Sequence, residues 1–239
     1  VPMKHTFAQF LIAAPASGSG KTTISIGMMA ALVRRGRVVQ PFKCGPDYID
    51  TKYHGMACHR SSYNLDLFMA TDSHVKAIYS EASRDADICE VEGMMGLFDG
   101  FQRQQGSAAH VAATLHLPVI LVVDASHTGY SVASLLQGLA RYDADVHVKG
   151  VIFNKVGSPR HDLMLREAAA DAGLVCLGCV PRQRQAEASS RYLGLDFSRT
   201  TDMDEIADLV EQHVDIDRLL LLTSGERPQE TIDHHTDRP

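Results

Sequence analysis

The sequence predicts an α/β domain: a mainly parallel sheet with helices on both faces. Three observations predict it. Short apolar runs recur along the chain at residues 7–14, 38–42, 88–91, 119–123, 148–153 and 174–180. Helical patterns fall between several of them, at 21–35, 72–84, 107–116, 129–142 and 159–172, and one more follows at 201–214. The first run passes through a glycine-rich loop into an amphipathic stretch, the order in which a phosphate-binding loop is built. Strands separated by helices lie parallel, joined by right-handed crossovers. Ligands bind such sheets beyond the carboxyl ends of the strands, so the loops after residues 14, 42, 91, 123 and 153 are expected to converge on one site.

The first of those loops carries the most specific signal. Ser17, Gly18, Ser19, Gly20, Lys21, Thr22 and Thr23 stand between the first strand and the first helix. Gly18 and Gly20 let backbone N–H groups close on phosphate oxygens, and the helix N-terminus behind them favours an anion. Lys21 is placed to reach the β- and γ-phosphates, and Thr22 to complete a Mg²⁺ shell. The glycine that usually opens the motif is Pro15 here. A nucleoside triphosphate with Mg²⁺ is the expected ligand.

After the second strand comes Lys43-Cys44-Gly45-Pro46-Asp47-Tyr48-Ile49-Asp50, one cation and two carboxylates in a stiff turn. Lys43 is read as neutralising a phosphate or a substrate carboxylate, and Asp47 as a metal ligand with Thr22 and Glu92. Tyr48, Asp50 and Gly93 are assigned to the substrate side. The alternative for Asp47 is a cap on whatever helix follows. Glu92 follows directly on the third strand, and the glycines at 93, 96 and 100 allow close backbone approach. Asp99 is read as the acid that meets the reacting group. Asn154, after the run 150–153, is assigned to reading the nucleotide base. His54, His59, His110 and His161 lie in or near these loops, and their spacing selects no metal site.

Composition narrows the class further. The chain has 239 residues, 45% hydrophobic and 22% charged, which suits one domain over residues 1–222, with the apolar-poor 223–239 read as a flexible tail or linker stub. A formal charge of −6 argues against nucleic acid as partner. No run approaches the roughly 20 apolar residues that cross a bilayer, and no signal core precedes the first strand, so a cytoplasmic protein is expected. Val1-Pro2 ahead of Met3 reads as a leftover before the natural start. Five cysteines do not form a secreted disulfide framework, and the Cys176/Cys179 pair is read as structural.

Together the segments 14–23, 41–50, 64–66, 91–100, 150–161 and 191–195 resemble the synthetase domain of cobyrinic acid a,c-diamide synthase. The resemblance spans most of the chain. It implies a P-loop NTPase fold like that of dethiobiotin synthetase. It also implies ATP·Mg²⁺-dependent amidation of the a and c acetates of a corrinoid precursor through an acyl phosphate. Glutamine would supply the ammonia through a glutaminase domain or subunit, and a homodimer is compatible with the family. Three departures stand out. No glutaminase region follows residue 222, Ala108 replaces a customary Thr, and Arg191-Tyr192 stands where Arg-His is usual. Two other readings stay open: carbamate phosphorylation with ring closure, and a partition-type ATPase switch. The switch family carries a lysine five residues before Lys21, where this chain has Ala16.

Overall fold

The structure, a computed structural model, describes residues 6–182 and 200–228. Seven strands, β1 (Ala8–Ala13), β2 (Val39–Cys44), β3 (Tyr63–Leu65), β4 (Ile88–Glu92), β5 (Val119–Asp124), β6 (Val148–Val156) and β7 (Val175–Pro181), form one sheet in the order β3-β2-β4-β1-β5-β6-β7. Every pairing is parallel. The helices are α1 (Lys21–Arg34), α2 (Asp50–Cys58), α3 (Asp72–Ala82), α4 (Ala108–Leu115), α5 (Val132–Arg141), α6 (Pro159–Asp171), α7 (Thr200–His213) and α8 (Ile216–Thr223).

Two apolar clusters, one on each face, hold the layers together. On one side α1 packs with Phe10 and Ile12 of β1, Val122 of β5 and Ile206 and Val210 of α7. On the other, Val75 and Tyr79 of α3, Val111 of α4 and Leu165 of α6 pack on Leu11, Phe42, Val91 and Leu121. Neighbouring strand residues point to opposite faces, which is why strands buried on both sides read as continuous apolar runs. The helices that follow β1 and β4 cover opposite faces although the two strands are neighbours. Their loops therefore part, leaving a crevice at the carboxyl ends of β1 and β4.

All six expected runs are strands and all six expected helices are present. Three elements escaped the sequence. β3 is a three-residue edge strand, too short for a period. The buried face of α2 is Asp50, His54, Ala57 and Cys58, polar at one end and small at the other, so it lacks an apolar stripe. The third is α8, which runs through the expected boundary at residue 222. Beyond it Ser224 bridges Ala8, the Gly225 N–H donates to the Phe7 carbonyl at 3.0 Å, and the Arg227 guanidinium lies 5.4 Å from the Phe7 ring centre. The packed fold thus continues to Arg227, because backbone pairing with β1 needs no apolar side chains. The Arg191-Tyr192 departure and residues 229–239 of the expected tail lie outside the described residues. No helix among the described residues is long and apolar enough to cross a membrane.

Candidate active site

The phosphate loop spans β1 and α1 in the expected way. Gly18 and Gly20 have φ of 81° and 90°, in the left-handed region that glycine tolerates. Helix α1 begins at Lys21 with no acidic residue in its first turn, so its free N–H groups face an unopposed anion position. Lys21 is buried, and its Nζ donates to the Met95 carbonyl at 2.8 Å. Burial lowers the Lys21 pKa, against the opposing pull of Glu92. Met95 itself has φ of 51°, and its carbonyl lies within reach of that ammonium. Ser17, Gly18, Lys21 and Thr22 line a cleft of about 430 Å³, whereas Ser19 and Thr23 are buried behind it.

Across the cleft, β2 and β4 deliver a compact charge network. Their register sets Lys43 opposite Glu92 at the carboxyl ends of the strands. Lys43 Nζ lies 3.0 Å from Glu92 Oε1 and 2.8 Å from Asp50 Oδ2. The Thr22 hydroxyl donates to Glu92 Oε1 at 2.5 Å and lies 3.5 Å from Asp50 Oδ2. Burial alone would push the Glu92 carboxyl up, but Lys43 beside it and hydrogen bonds from His54 and Thr22 hold it down at about 2. Burial likewise opposes charge on Lys43, yet Glu92 and Asp50 keep its pKa above the usual lysine value. Both groups are therefore charged although almost wholly buried.

Several expected assignments change. Asp47 lines the cleft, but its Oδ1 accepts the N–H groups of Ile49 and Asp50, both at 2.8 Å. It caps the turn that opens α2, and Asp50 takes the place beside Thr22 and Lys43 that Asp47 was expected to hold. The helical phase decides this, because the first turn of α2 directs Asp50 inward. Asp99 is exposed, and its Oδ2 accepts the Gly96 N–H at 2.9 Å. It folds back on its own loop and is not among the cleft residues, contrary to the expectation that it meets the reacting group. A side chain at Gly96 would come within 2.7 Å of the Pro15 carbonyl, so Asp99 ties down a turn that rests on the phosphate loop.

Asn154 also braces the phosphate loop. Its amide donates to the Ser19 carbonyl at 3.1 Å, and a Cβ on Gly20 would lie 2.2 Å from that nitrogen. Beside it Lys155 Nζ binds Asp124 Oδ2 at 2.5 Å and approaches the Gly18 carbonyl at 3.4 Å. Tyr48 is 84% exposed at the mouth, next to Ile49 of the cleft wall, and Gly93 lies against the Ile12 carbonyl with its own carbonyl 3.4 Å from Lys43 Nζ. Two contributors were given no role by the sequence reading. One is the Asp124–Lys155 pair. The other is His54, wholly buried with Nε2 2.6 Å from Glu92 Oε2. Its spacing of four from Asp50 was the available signal, legible only once α2 is known to be a helix.

Thr22, Asp50 and Glu92 offer three hard oxygen donors around one point, the donor chemistry that Mg²⁺ prefers. Among the described residues, no group of three His, Cys, Asp or Glu is arranged to hold a metal alone. Cys176 and Cys179 are free thiols on β7, remote from this set in the sheet order.

Comparison with known proteins agrees with this architecture. The chain is 44% identical over 216 residues to hydrogenobyrinate a,c-diamide synthase of Brucella ovis, covering 88% of this chain and 50% of that protein. The same identity holds over 217 residues against hydrogenobyrinate a,c-diamide synthase of Mycobacterium bovis, covering 86% and 48%. It also holds over 220 residues against cobyrinate a,c-diamide synthase of Picrophilus torridus, covering 89% and 50%. The chain thus spans about half the length of the curated relatives it matches. Among solved structures, the signal recognition particle 54 kDa protein of Aeropyrum pernix K1, in complex with GDP, shares the fold. It superposes with a TM-score of 0.53 at 21% identity, covering 92% of this chain and 51% of that one. The resemblance carried by segments 14–23, 41–50 and 91–100 is borne out. With the family model matched across residues 10–195, the chain belongs to the CobQ/CobB/MinD/ParA nucleotide binding domain family.

Proposed function

We propose that this chain is the ATP-dependent synthetase unit of an a,c-diamide synthase, converting the a and c acetates of cobyrinate, or of its metal-free analogue, to amides. The observation that carries this reading is the pair of buried cations, Lys21 and Lys43, lining one cleft together with Thr22, Asp50 and Glu92. A carboxylate is a poor electrophile, and it becomes a good one when phosphorylated. Bringing a carboxylate to a triphosphate sets two anions together, and this cleft supplies two fixed cations, Lys21 and Lys43, with the metal adding more positive charge. Lys21 would leave the Met95 carbonyl for the β- and γ-phosphates, and Lys43 would face the incoming acetate. Mg²⁺ held by Thr22, Asp50 and Glu92 would neutralise charge on the transferring phosphoryl group. Ammonia would then displace phosphate from the acyl phosphate, leaving the amide and inorganic phosphate.

Exposed Tyr48 and Ile49 at the mouth give a large, partly apolar acceptor a surface to rest on. Glutamine would serve as the ammonia source through a glutaminase domain or subunit, in keeping with relatives about twice the length of this chain. The test is mass spectrometry of cobyrinate and hydrogenobyrinate incubated with the chain, ATP, Mg²⁺ and ammonium. Mass changes of one and two amidations are expected with ammonium and none with glutamine. No amidation of either acceptor, or equal turnover with glutamine by rigorously purified protein, would overturn the reading.

A further inference from the structure

We propose that His54 is a positioning residue for Glu92, fixing that carboxylate so that one oxygen faces Thr22 and the divalent cation of the bound nucleotide. The inference rests on the metal-nucleotide reading of the cleft. The two oxygens of Glu92 have separate partners. Oε1 takes the Thr22 hydroxyl at 2.5 Å and Lys43 at 3.0 Å, while Oε2 lies 2.6 Å from His54 Nε2. Because the carboxylate offers only acceptors, Nε2 is the donor. The terminal torsion of a glutamate is broad, so a carboxylate held at one oxygen can turn about its axis. A donor on the second oxygen fixes its plane.

The imidazole is itself anchored. Its side chain has no exposed surface, and Nδ1 lies 3.2 Å from the Ser62 hydroxyl just before β3. An apolar side chain would fill this space without the cost of burying a polar ring, and the two hydrogen bonds offset that cost. Asp50 and His54 lie four residues apart on α2, hence on one face. A single helix thus positions both acids that hold Lys43, Asp50 directly and Glu92 through the imidazole. Groups that orient a metal-binding side chain from behind commonly change metal affinity by about 10–100-fold when removed.

The side-chain amide of Gln places its nitrogen near the position of Nε2, whereas that of Asn reaches only the position of Nδ1. H54Q therefore keeps the bond to Glu92, and H54N keeps only the one to Ser62. The measurement is the Mg²⁺ concentration that half-saturates ATP binding, by calorimetry, with ATP binding in chelator and the unfolding midpoint as references. H54Q is expected within about threefold of wild type, and H54N is expected to need roughly tenfold more Mg²⁺ with metal-free ATP binding unchanged. Equal shifts in the two variants, no shift in either, or an equal loss of metal-free binding in H54N would overturn the proposal. If H54N does not fold, S62A frees the far nitrogen of the ring. A raised Mg²⁺ requirement there supports the proposal, and an unchanged one overturns it. E92Q separates the two levels. If E92Q shifts the Mg²⁺ requirement and H54N does not, only the role of His54 fails; if E92Q shifts nothing, the metal reading of the cleft fails and the inference with it.

Discussion

The two sides of the phosphate loop use the same kinds of strand-end residue for different ends. On the β2–β4 side, Lys43, Asp50 and Glu92 turn their charged atoms toward one another and the cleft, within 3.0 Å of a shared cation. On the β5–β6 side, Asn154 and Lys155 turn their nitrogens onto the loop backbone, to the carbonyls of Ser19 and Gly18, and Lys155 is held there by Asp124. Both sets stand at carboxyl ends of strands, where ligand residues are sought in α/β sheets. Position alone therefore does not mark chemistry. What separates the sides is whether the residues line the cleft or brace the peptide groups of the loop from behind. Substitutions on the first side should remove turnover with the fold intact, and those on the second should act through nucleotide affinity and stability.

The sharpest break of this comparison is at its centre. Lys21→Ala should lower ATP-dependent amidation by on the order of 10²–10³-fold, because no other cation in the loop can follow the β- and γ-phosphates. The unfolding midpoint should change little, since Lys21 makes one hydrogen bond, to the Met95 carbonyl. Amidation near the wild-type rate in a steady-state assay would remove the phosphate loop from the chemistry.

Next in size is the contrast between two aspartates three residues apart. Asp50→Asn removes a charge beside Lys43 and Thr22, a charge-assisted contact of about 1.5–3 kcal/mol, so the Mg²⁺ requirement should rise roughly tenfold or more. Asp47→Asn keeps an acceptor for the N–H groups of Ile49 and Asp50, and Asn caps as well as Asp, so its Mg²⁺ requirement should stay within about twofold. Rate measurements against Mg²⁺ for both variants decide the point. The reverse order would return the metal role to Asp47.

These two aspartates also show how far the sequence could be read. The phosphate loop was legible because strand, glycines, lysine and helix are contiguous and every part of the argument is local. Lys43 and Glu92 were legible as charged residues ending apolar runs. The choice between Asp47 and Asp50 was not, because it depends on the phase of α2, and α2 carries the buried polar side chains Asp50 and His54 where an apolar stripe would have announced it. The same cause hid His54. Asn154 stands near the end of β6 and Asp99 in the loop after β4, but their hydrogen-bond partners, Ser19 and Gly96, are chosen by the folded backbone and leave no trace in spacing. The sheet order was likewise open until the crossover from β4 to β5 was seen to pass β1.

On the β5–β6 side, Asn154→Ala removes the donor to the buried loop at Ser19. An unmade hydrogen bond of this kind costs about 1–3 kcal/mol, divided between stability and nucleotide binding. ATP affinity should fall by roughly fivefold or more, while the rate at saturating ATP stays within about twofold of wild type. Calorimetric ATP titration and the saturated rate separate these quantities. A large fall in the saturated rate with unchanged affinity would move Asn154 to the chemical side.

The smallest expected effect belongs to Asp99, and it tests whether a carboxylate in the glycine-rich loop after β4 takes part in the reaction. The Asp99 oxygen that accepts the Gly96 N–H fixes a turn whose close approach to the Pro15 carbonyl leaves no room for a side chain at Gly96. That job requires an acceptor and not a charge. Asp99→Asn retains a carbonyl oxygen at the same reach, so both ATP affinity and the saturated amidation rate should remain within about twofold of wild type. Asp99→Ala removes the acceptor altogether and should cost about 1 kcal/mol, felt as a looser phosphate loop and a modest loss of ATP affinity. A direct role toward the acceptor or ammonia predicts the opposite for Asn, because interactions made mainly in the transition state appear in kcat and depend on the charge that Asn lacks. Measuring kcat for the two variants side by side separates the cases. A tenfold or greater fall in kcat for Asp99→Asn would place this loop with Lys43 and Glu92 among the groups that act on the reacting centre.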